Sequence, residues 1–471
     1  MKEQQMKMKD QQRDTVIRDD EDVQDDWWNA DNPVLDEILD EQQKRQEYAR
    51  KVVNEEVRDK LNNHRWFDPA SWSDTTEMDN LIEAVGKALP AKVNKKRRIH
   101  LRVVLANLLK AWAYDETQYI AYHRKHRRYS DLPVRLNPAG MTKLVSKVVD
   151  DLSESGFIEH HQGRYSVDHS MGFCSKMRCT AELISLLEPT GFIPGDMIQR
   201  HPGAELIVLK SSKGTNWQNG KVAKTGGGLL DYEDTPEIRQ MRGKLMAYNA
   251  FLQKHDIRLP GSLSEPKAKT LHRTFNNGSW EEGGRYAGGW WINQKEEARA
   301  CILIDGKPTV ELDYGSSLLR VLYALNGACP DDPQGDLYGL PGFHREAVKK
   351  LSMRCLSNKR KHSVISGTRS DLEEKSPEIA QETNTELLVK IFEEKHKAVA
   401  HDFYKGMIHV LQYRESEMCS RIIMGLMEED ICCLPIYDSF IVQKEHEDRL
   451  RTAMISAFRD EMGVGFDPVI K

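Results

Sequence analysis

Two stretches of this chain each end an apolar run on an aspartate, and together they most narrow what it can fold into. The first is Thr309-Val310-Glu311-Leu312-Asp313-Tyr314-Gly315-Ser316-Ser317-Leu318-Leu319-Arg320; the second is Leu434-Pro435-Ile436-Tyr437-Asp438-Ser439-Phe440-Ile441-Val442. Ahead of the first, Ala300 to Ile304 reads as a strand, Asp305-Gly306 as a two-residue turn, and Pro308 to Tyr314 as the return strand. Asp313 then falls at the strand end. Ser316 or Ser317 caps a helix carrying Leu318, Leu319, Leu322, Tyr323 and Leu325 as far as Asn326-Gly327. The second stretch reads as strand, tight turn, strand: Cys432 to Ile436, a turn on Tyr437-Asp438-Ser439, and Phe440 to Val442, with Asp438 at the tip. A strand-end aspartate taken singly most often turns or caps the chain. Two of them brought together are what a pair of magnesium ions needs for phosphoryl transfer.

Between these stretches lies Arg345-Glu346-Ala347-Val348-Lys349-Lys350-Leu351-Ser352-Met353-Arg354-Cys355-Leu356. On a helix, Arg345, Lys349 and Met353 share one stripe, with Lys350 beside it. Cations so placed and facing a magnesium site are suited to gripping a nucleoside triphosphate. The plain alternative is an amphipathic surface helix with solvated lysines.

In this order, the motifs resemble the palm and fingers of the superfamily that joins family A DNA polymerases, the DNA polymerase I type, to single-subunit phage-type RNA polymerases. Asp313-Tyr314-Gly315-Ser316-Ser317-Leu318-Leu319-Arg320 is similar to the family's motif A, Asp-Tyr-Ser-x-x-Glu-Leu-Arg. Arg345, Lys349 and Met353 resemble motif B, in which the arginine and lysine hold the incoming phosphates. Tyr437-Asp438-Ser439-Phe440 resembles motif C, His-Asp-Glu in the DNA enzymes and His-Asp-Ser-Phe in the RNA enzymes. Asp336-Leu337-Tyr338 is similar to the element between motifs A and B, and Gln412 falls where the DNA enzymes often carry a glutamine near the primer terminus. The resemblance covers roughly residues 265 to 471.

It implies a template-directed nucleotidyltransferase, a DNA polymerase or an RNA polymerase or primase-like variant, adding nucleotides to a 3'-hydroxyl. Asp313 and Asp438 hold two magnesium ions, with manganese as a substitute, and Arg345, Lys349, Lys350 and Met353 bind the nucleotide. The departures concern the sugar. Leu318 replaces the glutamate that excludes a ribose 2'-hydroxyl in the DNA enzymes, and Ser357-Asn358 stand where motif B usually ends in Tyr-Gly. Leu318 and Ser357 are therefore the sugar-selecting positions, and weak rejection of ribonucleotides is expected. Shorter spacing between motifs implies reduced fingers. A reading from another class is a DNA-binding replication initiator or regulator with a catalytically decayed palm.

The 471 residues suffice for two or three domains. With 30% charged residues and a net charge of only -5, a nucleic-acid surface has to be local. Eight cysteines without a Cys-x-x-Cys pair point to reduced thiols in a cytoplasmic setting and away from structural zinc. No run approaches the length of a membrane span. The oligomeric state is not legible.

Residues 1–30 read as a disordered charged tail and 31–90 as a charged helical region, lying on the domain or forming a short coiled coil. Residues 91–190 read as a winged-helix-like nucleic-acid-binding domain. Lys95-Lys96-Arg97-Arg98 opens one helix, and His123-Arg124-Lys125-His126-Arg127-Arg128 forms a second basic cluster. Asn137-Pro138 starts a recognition helix that exposes Lys143 and Lys147, and a hairpin over Phe157 to Val167 forms the wing. The alternative is a small helical domain with a solvated basic face. Residues 191–264 are a connecting region with a Gly-rich loop at 210 to 230. The aromatic and glycine patch from Trp280 to Trp291 either stacks on bases, with Arg285 and Arg299 meeting phosphates, or packs beneath the catalytic hairpin. Residues 359 to 376 read as a mobile insertion. The fold expected is α+β, a right-hand polymerase palm with reduced fingers over 265–471, preceded by the winged-helix-like domain and the charged N-terminal helix.

Overall fold

The computed structural model describes residues 63–471, apart from 125–128, 130–131, 164, 167–170, 173, 213, 219–220, 226–227, 262–267 and 464. The expected N-terminal tail and most of the charged helical region lie outside the described residues, as do Arg127 and Arg128. The architecture is mixed α and β. The described residues divide into two compact units, one drawn from Met1–Glu205, Gly214–Asp231 and Ser262–Thr270, the other from Leu206–Lys213, Tyr232–Gly261 and Leu271–Lys471. The division does not fall at the expected boundary of 265. Among the described residues no helix is long and apolar enough to cross a membrane.

The N-terminal unit is built on β1 (His64–Trp66), α1 (Thr76–Ala88), α2 (Lys95–Tyr114), β2 (Tyr119–Tyr122), α3 (Leu144–Glu154), β3 (Ile158–His161) and β4 (Ser175–Cys179). Helix α2 begins where the Asn94 side chain accepts from the Arg97 amide at 2.9 Å. It runs through the core, packing Val104, Leu105 and Leu108 with Leu81 and Ile82 of α1 and Val145, Val148 and Leu152 of α3. Each such side chain contributes about 1.5–3 kcal/mol on burial. The strands lie in the order β1-β2-β4-β3, with β1 parallel to β2 and the other pairs antiparallel.

Three expectations here are corrected. Helix α3 starts at Leu144, not at Asn137-Pro138. Asn137 closes a loop instead: its side-chain oxygen accepts from the Met141 amide at 2.7 Å and its amide donates to the Met141 carbonyl at 2.9 Å. An asparagine satisfies a loop backbone as readily as a helix terminus, so cap chemistry misplaced the start. The strand from Ile158 pairs with Ser175–Cys179 rather than with residues just past the turn. The stretch expected as a Gly-rich loop contains an antiparallel pair, Gly214–Gln218 with Lys221–Thr225. Its Thr, Val and Trp residues carry strand preference that the flanking glycines obscure.

The C-terminal unit holds β5 (Ile207–Lys210), α4 (Pro236–Lys254), β6 (Ile257–Arg258), β7 (His272–Phe275), β8 (Gly283–Ala287), β9 (Leu303–Ile304) and β10 (Lys307–Asp313). These are followed by α5 (Ser317–Leu325), α6 (Arg345–Ser357), α7 (Lys361–Lys375), α8 (Thr385–Lys395), α9 (Ile408–Glu428), β11 (Leu434–Ile436), β12 (Ser439–Gln443) and α10 (Glu447–Met462). Its main sheet is antiparallel in the order β6-β9-β10-β12-β11. The turn between β9 and β10 is the one expected, with Asp305 at φ 52° and Gly306 at φ 75°. The expected strand from Ala300 is shorter, because Ala300 closes a helical turn, Glu296–Arg299.

Strand β7 pairs with β8 on one side and β5 on the other. Strand β8 reaches α9 through Tyr286, whose hydroxyl lies 2.8 Å from Ser420 Oγ. Gly284 is required at this approach. At φ 73°, a Cβ there would stand 2.9 Å from both Arg273 Nη2 and Ser416 Oγ. The expected mobile insertion is helix α7, which buries Val364, Thr368 and Leu372 at four-residue spacing. Its charged composition hides that sparse stripe.

Candidate active site

Strands β10 and β12 pair so that Asp313 stands opposite Ser439. Asp438, one residue earlier, occupies the two-residue turn joining β11 and β12, and its carbonyl accepts from the Tyr314 amide at 3.1 Å. The two aspartates thus sit at the same end of adjacent strands. The turn is strained, since Tyr437 takes φ 60°, a region that favours glycine. Such strain persists where surrounding contacts over-determine it, and the Arg285 guanidinium packs 5.0 Å from the Tyr437 ring centre.

After Asp313 the chain passes Gly315 and turns into α5 through Ser316 at φ 54°. Ser316 stands at the cap position without capping; its hydroxyl donates to Asp336 Oδ1 at 3.3 Å. Ser317 donates to Glu415 Oε1 at 2.9 Å.

Charge is arranged around the aspartates in a definite pattern. Burial, reinforced by the Asp438 carboxylate and opposed by Lys349, pushes the Asp313 carboxyl up to about 7. Burial also raises Asp438, against the pull of Arg285 and Lys349. Three further carboxylates are each held by an arginine. Glu415, buried in α9 and raised by that burial, accepts from Arg285 Nε at 2.7 Å. Glu311 accepts from Arg299 Nε and Nη2, both at 2.8 Å, and from Ser439 Oγ at 2.8 Å. Asp336 accepts from Arg345 Nε at 2.5 Å, and the same guanidinium lies 5.4 Å from the Tyr338 ring centre. The charged hydrogen bonds of these pairs outweigh a neutral bond roughly twofold.

The residues singled out from sequence fall as follows. Lys349 on α6 is exposed and close enough to act on both Asp313 and Asp438. Lys350, one residue on, is engaged elsewhere, 2.9 Å from Glu346 Oε1 and 3.1 Å from Ser376 Oγ. Met353 is half-buried, and Ser357 is exposed with its hydroxyl donating to the Met353 carbonyl at 2.8 Å. Leu318 is only 5% exposed. Gln412 is half-buried on α9, its Oε1 3.1 Å from His409 Nδ1.

Within the aromatic patch, Trp291 is fully buried and donates to the Pro435 carbonyl at 3.1 Å. That ring is packing and is not presented to bases. In the N-terminal unit Lys143 and Lys147 are exposed beside α3 and on it, and among the described residues neither ammonium is in a hydrogen bond or ion pair. The basic start of α2 is partly spent: Arg97 pairs with Asp151, and Arg98 reaches Asp79 at 2.9 Å.

Sequence reasoning missed Glu415 and Glu311. Glu415 had a signal, because it is a carboxylate within the apolar stripe Leu411, Met418, Cys419 and Ile422 of α9. Glu311 shares a strand face with Asp313 at i, i+2.

No protein-family model matches the chain, and no curated protein matches it. Among solved structures the chain is similar to the POL domain of Pol1 from M. smegmatis, in complex with DNA primer-template and dNTP, with 10% identity and a TM-score of 0.31. That match takes in 50% of this chain and spans about half, 51%, of the other.

Proposed function

We propose that the C-terminal unit is a template-directed nucleotidyltransferase that joins a nucleoside triphosphate to a 3'-hydroxyl on a DNA template. The observation that carries this reading is the pairing of β10 with β12, which sets Asp313 and Asp438 side by side with Lys349 facing both. Among the described residues no cluster of three or more His, Cys, Asp or Glu is arranged to hold a metal. A donor set of two carboxylates fits magnesium, which keeps its remaining positions for water and substrate phosphate oxygens. Two half-buried carboxylates, with Asp438 raising the proton affinity of Asp313, also gain from a cation between them. Asp313 and Asp438 would hold two ions, which when bound supply Lewis-acid stabilisation of the phosphoryl oxygens.

The chain's own residues then do the following. Lys349 meets the triphosphate directly. Arg345 reaches it by exchanging Asp336 for a phosphate, a swap of one charged acceptor for another. Glu415 and Arg285 buttress the Asp438 turn. Buried Leu318 and exposed Ser357 place neither a carboxylate nor an aromatic ring against the ribose, which supports weak rejection of ribonucleotides, with a discrimination of about tenfold to hundredfold lost per missing contact. The N-terminal unit supports a winged-helix reading: α2, β2, α3 and then β3 and β4, with strand order β2-β4-β3, present Lys143 and Lys147 toward a duplex.

The test is incubation of the purified chain with primed and unprimed DNA, magnesium or manganese, and labelled dNTP or NTP. Incorporation is expected, and Asp313→Asn or Asp438→Asn each abolishes it while duplex binding is kept. Near-wild-type incorporation by either variant sinks the assignment. Duplex binding without any incorporation by the wild type favours instead a DNA-binding initiator or regulator with a decayed palm.

A further inference from the structure

Beyond β12 and α10 the chain returns to the site. The Gly315 amide donates to the Val469 carbonyl at 2.8 Å, and Tyr314 bridges Ile470. Asp313 and Lys471 exchange both backbone bonds, Lys471 N to Asp313 O at 2.9 Å and Asp313 N to Lys471 O at 3.0 Å. Residues that exchange both bonds in an antiparallel pair stand directly opposite each other, with their side chains on one face of the sheet. The Lys471 side chain therefore leaves on the face that carries Asp313. A second observation agrees: Gly315, two residues from Asp313 and so on the same face, has Lys471 Cε 3.4 Å from where its Cβ would stand.

The charge pattern says what this lysine is for. Glu415, Glu311 and Asp336 are each matched to an arginine, Arg285, Arg299 and Arg345. That leaves two aspartates, Asp313 and Asp438, and two lysines, Lys349 and Lys471. Lys471 is exposed, and among the described residues its ammonium makes no hydrogen bond or ion pair. It is near enough to favour the ionised forms of Asp313 and Asp336 without binding either. An ammonium on a fixed backbone, near Asp313 and Asp336 and engaged by neither carboxylate, has its donors open to a ligand anion.

We propose that Lys471 is a further phosphate-contacting residue of the nucleotide site, and that with Lys349 it receives the polyphosphate of the incoming nucleotide; this rests on the nucleotidyltransferase reading above. When divalent cations neutralise Asp313 and Asp438, the two lysines keep their charge for the phosphate oxygens.

The experiment titrates inorganic tripolyphosphate with magnesium into the whole wild-type chain, Lys471→Ala and Lys471→Arg by calorimetry, and measures KM and kcat for nucleotide in parallel. The alanine variant keeps the backbone pair with Asp313, and an unchanged melting temperature verifies this. Lys471→Ala is expected to weaken tripolyphosphate binding and raise KM about tenfold, the scale of one lost charged hydrogen bond, with kcat little changed. Lys471→Arg restores most of both. Equal tripolyphosphate binding by wild type and Lys471→Ala, or none by the wild type, overturns the proposal. Wild-type binding that Lys471→Ala loses, without any incorporation, leaves the phosphate contact standing and overturns nucleotidyl transfer instead.

Discussion

At the scale of single residues, Asp313 and Asp438 are a liability to the fold, and this gives a test of the proposed site that needs no activity measurement. The Asp313 carboxyl sits at about 7 against an ordinary 3.8. Between those values the folded protein holds a proton that the unfolded chain releases, so stability falls as pH rises through the window and levels off above it. Asp313→Asn removes the charge and keeps the shape. Its melting temperature is expected to exceed that of the wild type at pH 8 and to converge with it near pH 4. Allowing for the partial solvent contact of this side chain, the gap is about 2 kcal/mol, or a few degrees for a unit of this size. Magnesium at pH 8 should then raise the melting point of the wild type and leave Asp313→Asn nearly unmoved, because only the ionised pair rewards a bound cation. Equal melting points at pH 8 would show that the Asp313 carboxyl is not raised, and an equal response to magnesium that the two carboxylates do not share a cation site.

At the scale of elements, helix α3 separates two roles by its spacing. Val145, Val148, Val149 and Leu152 are buried, while Lys143 and Lys147 stand exposed four residues apart. If both lysines meet phosphates, Lys143→Ala with Lys147→Ala lowers duplex affinity and flattens its log-log salt dependence by about one to two units. An unaltered slope moves the nucleic-acid surface off this helix. The same helix shows what a sequence makes legible and what it does not. Its apolar stripe was readable because α-helical spacing is a local property; its start was not, because Asn137 carries cap chemistry that the loop uses. Likewise Asp305-Gly306 announced the β9–β10 hairpin, and the apolar run ending on Asp313 and the tight turn at Asp438 placed the two aspartates. The arginine–carboxylate pairs were out of reach. Arg285 and Glu415 lie 130 positions apart, and no local pattern says which arginine a buried carboxylate will meet. For the same reason Lys350 was expected at the nucleotide site, whereas the fold turns it to Glu346 and Ser376.

At the scale of the whole molecule, the division into two units cuts across the order of the chain, and it fixes what can be removed. The stretch from 265 onward carries every residue assigned to nucleotide chemistry, yet it is not the compact unit. Helix α4 belongs with it: Ile238, Leu245, Tyr248, Phe251 and Leu252 are buried, and Asn249 exchanges bonds of 2.9 and 2.8 Å with the Leu271 backbone. Strand β6 forms an edge of the sheet that holds Asp313, and β5 pairs with β7. Cutting at 265 removes all three. Five large side chains at about 1.5–3 kcal/mol each are together comparable with the 5–15 kcal/mol that holds an ordinary domain together. A fragment of residues 265–471 should therefore show no cooperative unfolding transition. A fragment of residues 206–471, which restores α4, β5 and β6, should melt cooperatively; on the proposed nucleotidyltransferase and winged-helix readings it also supports primer extension at high DNA concentration and binds duplex more weakly than the whole chain. Circular dichroism melts of the two fragments, with extension assays on whichever folds, decide the matter. A cooperative melt from 265–471 would mean that α4 is dispensable packing and that the strands bearing Asp313 and Asp438 stand without it.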